Sequence, residues 1–95
     1  MPPLCRHTAA VLVAFRADAD IHPLLAQLQG HVAHTVVVDN SAHGLPAVQA
    51  LPAQAQRSVL HNRNRGGLAG AYNLALRHLA EAKLGAGAHP ITHVV

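Results

Sequence analysis

Short runs that are apolar at every position alternate along this chain with longer stretches in which apolar residues return every three or four places. A short, partly β-branched apolar run reads as a strand covered on both faces, and the wider spacing reads as a helix with one buried side. "TAAVLVAF", residues 8–15, predicts a first strand. Ile21, Leu24, Leu25 and Leu28 fall at i, i+3, i+4 and i+7 and predict a helix, with Asp20 as its cap, Pro23 tolerated in the first turn and an end near Gly30. Thr35 to Val38 predict a second buried strand that stops at Asp39, Asn40 and Ser41, residue types that favour turns and caps. "GLPAVQALPAQAQ" is weakly helical at best, because Pro46 and Pro52 fence a single short segment. Ser58 to His61 predict a third strand. Leu68, Ala71, Tyr72, Ala75, Leu76 and Leu79 then recur at helical spacing, which predicts a helix over Leu68 to Leu84, ended by "GAGAHP". Ile91 to Val95 begin a fourth strand, and there the sequence stops mid-element.

Strand and helix in alternation point to βαβ units: an α/β domain of three layers, α/β/α, with a mainly parallel sheet of about four strands. Ninety-five residues make one domain or a piece of one. The composition agrees with a folded domain, being 51% hydrophobic and 12% charged, too apolar for intrinsic disorder. The net charge of +3 rests on seven Lys/Arg against four Asp/Glu, and Phe15 and Tyr72 are the sole aromatics. That balance admits an anionic ligand and argues against nucleic acid, which asks for clustered cations and stacking surfaces. Cys5 stands alone, so no intrachain disulfide can form and a cytoplasmic setting fits. The apolar run Ala9–Phe15 is far too short to cross a bilayer. Arg6 before that run and "ADA" at 17–19 have the look of a secretory signal, but the run has the minimum length and Arg16 interrupts it.

In open parallel sheets ligands bind beyond the carboxyl ends of the strands, which singles out "FRAD", "DNS" and "NRNRGG". An ionised carboxylate at such a position, Asp39, accepts hydrogen bonds from a ribose hydroxyl or a base N–H, or else it caps a turn. Gly66, Gly67 and Gly70 lack Cβ atoms, so the backbone there can approach a ligand or pack tightly on a neighbouring element. The helix that follows offers free N–H groups and a positive dipole end to phosphate. Arg63 and Arg65 can pair with a diphosphate or remain solvated, and Asn73 can face the ligand or the solvent. Neither the dinucleotide glycine pattern, which would need Gly where Arg65 stands, nor a P-loop is present. Nine histidines raise a metal, but no zinc-site spacing accompanies them, and neither HExxH nor G-x-S-x-G occurs.

Taken in order, "VLVAFRAD", "LLAQLQGHVAHTVVVDNS", "NRNRGGLAGAYNLAL" and "ITHVV" resemble the opening third of the family 2 glycosyltransferases, above all the rhamnosyl- and galactofuranosyltransferase-like branch. The resemblance covers most of the chain and is carried chiefly by "VVVDNS" and by Asn64, Gly66, Gly67 and Gly70. It implies the N-terminal, nucleotide-binding half of a GT-A (Rossmann-like) fold, in an inverting enzyme that takes a UDP- or dTDP-sugar for cell-surface polysaccharide synthesis. On this likeness the nucleotide-sugar site comprises Phe15 near the base, Asp39 on base or ribose, Asn64, Gly66 and Gly67 in the flanking turn, and Asn73 in the next helix. It implies Mn²⁺ or Mg²⁺ in a full-length relative, bound by an Asp-x-Asp motif that would follow the fourth strand. This sequence ends before that motif and before the family's catalytic base, so no metal ligand and no catalytic residue is expected in it. Ala14 and Arg16 also depart from the family, which shows Thr or Ser before the aromatic and Asn after it. The resemblance places the full-length protein in the cytoplasm or at the inner face of the membrane.

Two other readings stand beside this one. The chain is also read as a non-catalytic α/β module that binds a nucleotide or phosphoanion on the same glycine turn. Alternatively it self-associates through an exposed sheet edge.

Overall fold

The computed structural model describes residues 5–15, 21–28, 31–51, 56–82 and 93–94. Its strands are β1 (Cys5–Ala14), β2 (Val32–Asp39), β3 (Arg57–His61) and β4 (His93–Val94), and its helices are α1 (His22–Leu28), α2 (Pro46–Gln49) and α3 (Gly67–Ala82). They form one parallel sheet in the order β3-β2-β1-β4. β1 pairs with β2 from Ala9↔His34 to Ala14↔Asp39, and β2 with β3 from Thr35↔Arg57 to Asp39↔His61. Ala14, Asp39 and His61 therefore lie abreast, and the three strands end level. β4 pairs with Thr8 and Ala9, midway along β1.

Alternating side chains send residues of each strand to opposite faces, and both faces are covered. On one face Ala9, Val36 and Val38 pack with Ala71, Ala75 and Leu79 of α3, and Val11, Val13 and Leu60 adjoin them. On the other, Ala14 and Val37 pack with Ile21, Leu45 and Val48, joined by Leu12, Leu25 and Leu51 around α1 and α2. This two-sided burial is why residues 36–38 read as an unbroken apolar run. Each of those three valines is fully buried and contributes about 1.5–3 kcal/mol from its removal from water.

The expected α/β arrangement is thus present, with β1 and β2 beginning three residues, and β3 one residue, earlier than the apolar runs suggest. Backbone pairing does not require an apolar side chain, so Cys5, Val32, His34 and Arg57 join the ladder, with an irregularity between Cys5 and Ala9. The segment between Pro46 and Pro52 forms one short helix, with Pro46 in its first turn. Phe15 does not belong to β1; it is the first residue beyond it and is 55% exposed.

A second correction concerns α3. Leu68, Tyr72 and Leu76 do not join its buried face and are 60%, 40% and 45% exposed. The helix meets the sheet through the small Ala71 and Ala75, which allow close approach, and the mean direction of the row at 68, 72 and 76 is turned about 60° around the axis from that of the row at 71, 75 and 79. The Asp20 cap, the end at Gly30, Pro52 and the "GAGAHP" segment lie outside the described residues. Among the described residues no helix is long and apolar enough to cross a membrane.

Candidate functional site

Beyond the level strand ends the ladder continues by one step: the Asn40 N–H donates to the Ala14 carbonyl (2.7 Å) and the Asn62 N–H to the Asp39 carbonyl (2.9 Å). Both asparagine side chains are buried. Asn62 Nδ2 donates to Asn40 Oδ1 at 2.7 Å and to the Arg65 carbonyl at 2.9 Å. Asn40 Nδ2 in turn reaches Asn64 Oδ1 at 3.4 Å and the Gly67 carbonyl at 3.3 Å. This network ties the ends of β1, β2 and β3 to the start of α3.

The turn so held is left-handed at four residues, with φ of 52° at Arg63, 57° at Asn64, 70° at Gly66 and 63° at Gly67. At the two non-glycine residues that conformation costs roughly 1 kcal/mol or more each, and the asparagine bonds offset it. The glycines do different work. A Cβ on Gly70 would lie 1.9 Å from the Arg65 carbonyl oxygen, so Gly70 exists to let the turn fold onto the helix. A Cβ on Gly66 would sit 3.2 Å from the Gly70 Cα, whereas one on Gly67 would meet nothing within 4 Å. Gly67 thus supplies backbone shape beside open space. The tight packing that the glycines allow is between α3 and its own leading turn, not between α3 and the sheet.

Asp39 points to the other face of the sheet, the side of Val37 and α2, and is 1% exposed. Its Oδ1 accepts from the Ser41 N–H (3.0 Å) and the Ser41 hydroxyl (2.6 Å), and its Oδ2 from the Leu45 N–H (2.7 Å). Burial works to raise its pKa. The hydrogen bonds from Ser41 and Leu45, with His61 Nδ1 at 3.8 Å from Oδ2, outweigh burial and leave it below the ordinary carboxylate value. The carboxylate therefore stays charged and shapes the 41–45 loop. Beside it opens a cleft of about 500 Å³, bordered by Asp39, Ser41, His43, Gln49, His61 and Arg63.

The candidate residues fall into three groups. Asn64 and Gly67 are joined through Asn40, with Gly66 between them in the same turn. Asp39 walls the cleft on the opposite face, with Arg63 from the turn reaching the same cleft. Phe15 stands exposed at the end of β1, and Asn73 is exposed well along α3, away from both the cleft lining and the asparagine network. Sequence reasoning passed over Asn40 and Asn62 as turn formers and missed His43 and His61 among nine histidines. No local pattern marks Asn40, Asn62 and His61, because each has a partner more than twenty residues away.

Compared with protein-family models, with curated proteins and with solved structures, the chain matches none. Among the described residues no three His, Cys, Asp or Glu side chains gather where they would hold a metal ion. Asp39 is the one carboxylate of the cleft and both its oxygens are engaged, so the described residues do not fit a divalent cation.

Proposed function

We propose that this chain is the donor-binding part of an inverting, family 2-like glycosyltransferase with a GT-A (Rossmann-like) fold, receiving the nucleoside diphosphate of a UDP- or dTDP-sugar in the cytoplasm. The reading rests on one observation above all: the carboxyl ends of β1, β2 and β3 lie level at a single edge of a parallel sheet, with a cleft beyond β2 and β3. The strand order reverses between β1 and β4, a point at which ligands of open α/β sheets bind and to which Phe15 at the end of β1 belongs, whereas the cleft lies beyond β2 and β3. Phe15, directly after β1, offers the face on which a base stacks, and Gly67 offers unobstructed backbone. The imidazoles of His43 and His61 and the Arg63 guanidinium favour an anion in the cleft. Transfer itself needs a base and a metal, for which this chain supplies no identified residue, so the proposal for it is donor binding.

The Arg63 guanidinium in that lining keeps a second reading in play, a module that binds a phosphoanion without transferring a sugar. Isothermal titration with UDP, dTDP and pyrophosphate, each with and without Mn²⁺, separates the two. The donor-site reading expects UDP or dTDP to bind without metal and more tightly than pyrophosphate. It also expects Phe15→Ala to weaken nucleotide binding about tenfold, since base–aromatic stacking is worth about 1–3 kcal/mol, with no loss of stability. Equal affinity for pyrophosphate and an unaffected Phe15→Ala variant would leave the phosphoanion module; no binding at millimolar ligand would remove both.

A further inference from the structure

Away from the cleft, on the α3 face, a second polar cluster joins three elements. His34 of β2 is 5% exposed, and its Nε2 lies 2.7 Å from Ser58 Oγ on β3. The Nε2 of His78, from the C-terminal half of α3, is 3.0 Å from the same oxygen. One hydroxyl thus links the interior strand, the edge strand and the covering helix, near the amino ends of the strands.

A serine hydroxyl has one proton to give and two lone pairs to receive. With both rings neutral, one Nε2–H donates to Oγ while the hydroxyl donates to the bare Nε2 of the other ring, and every group is satisfied. When one ring becomes charged, that ring is the donor and the arrangement survives. A second proton ends it. Both Nε2 atoms then carry hydrogen, the hydroxyl proton loses its acceptor, and two positive rings face each other across one oxygen.

The surroundings do little to relieve that repulsion. β1 sets Ala9 opposite His34, and Arg57 alternates onto the other face of β3. On α3, Arg77 and Glu81 stand near His78 from exposed positions. The side chains of Arg6, His7 and Lys83 lie outside those described. Burial, and then the neighbouring His78, lower the pKa of His34 from its ordinary 6.5. A proton that the folded state disfavours is taken up first by the unfolded chain, so stability is full above about pH 6.5 and declines as the pH falls below it.

We propose that His34, Ser58 and His78 form a proton-operated clamp, which fastens α3 and β3 to β2 while at most one ring is charged and opens when both are. β3 ends at His61, which borders the cleft, so opening acts on one strand of the cleft's frame.

The test is urea unfolding of the full chain from pH 7.5 to 5, for the wild type and for His78→Gln, with NMR titration of the His34 ring in the wild type. Gln keeps a hydrogen-bonding partner for Ser58 and never becomes charged. Between pH 6.5 and 5 the wild-type unfolding constant is expected to rise about tenfold more than that of the variant, the effect of one proton over about one pH unit. The His34 ring is expected to titrate below 6.5. Parallel pH profiles, or a His34 ring that titrates normally, would overturn the clamp. Should His78→Gln not fold, the wild-type titration decides by itself.

Discussion

At the carboxyl ends of β1, β2 and β3 the chain is held by Asp39, Asn40 and Asn62, while near the amino ends β2, β3 and α3 are held by His34, Ser58 and His78. The first set consists of amides, which do not titrate, and a carboxylate ionised throughout the neutral range. The second depends on imidazoles that change charge close to neutrality. One sheet therefore carries a fastening of amides and a carboxylate where the candidate site lies, and one built on imidazoles at its far end. A polar contact's response to conditions follows from its chemistry, not from how deeply it is buried.

The hardest blow to the carboxyl end is Gly70→Ala. Its new Cβ has backbone, not a flexible side chain, 1.9 Å away, so a loss of about 3 kcal/mol or more is expected in urea unfolding. A loss below 1 kcal/mol would mean that the turn does not rest on α3 as described.

Next comes Asp39→Ala, which leaves the buried Leu45 N–H without an acceptor and frees the 41–45 loop, at about 2–3 kcal/mol. Because the folded-state pKa of Asp39 is lowered, its contribution is present above its unfolded value of 3.8 and disappears as the pH falls through the lower folded value. The wild type and Asp39→Ala should accordingly converge in stability in strong acid. A gap between them that persisted undiminished there would mean that the charge of the carboxylate does not hold the loop.

Gly67→Ala is the mildest of the three. It meets open space, so only the left-handed backbone is penalised, at about 1 kcal/mol. Its comparison with Gly70→Ala sharpens the division of labour within a single glycine cluster: similar losses for both would mean that conformation, not contact, governs the turn.

Much of this architecture was legible in the sequence because it depends on neighbours close along the chain. "TVVVD" announces a strand buried on both faces and names the residue at which it ends. The periodicity from Leu68 onward places α3 to within two residues, and the glycine turn before it is evident. Which face of α3 meets the sheet was not legible: periodicity offered Leu68, Tyr72 and Leu76 equally with Ala71, Ala75 and Leu79, and close approach of helix to sheet selected the small residues. The candidate site was legible in part, since Asp39, Asn64, Gly66 and Gly67 were marked by residue type and position. Their companions Asn40 and Asn62 were not.

By itself, then, the sequence determined the alternation of strand and helix, the parallel α/β class, and the three loops that gather at one edge, because propensity and hydrophobic period act over a few residues. Only the tertiary structure decided that Asp39 spends its carboxylate on its own loop, that Gly70 serves the turn while Gly67 faces open space, and that two histidines 44 positions apart share one serine hydroxyl. Those outcomes depend on strand register and on how a helix is rotated about its axis, and both are set by packing between segments that are remote along the chain.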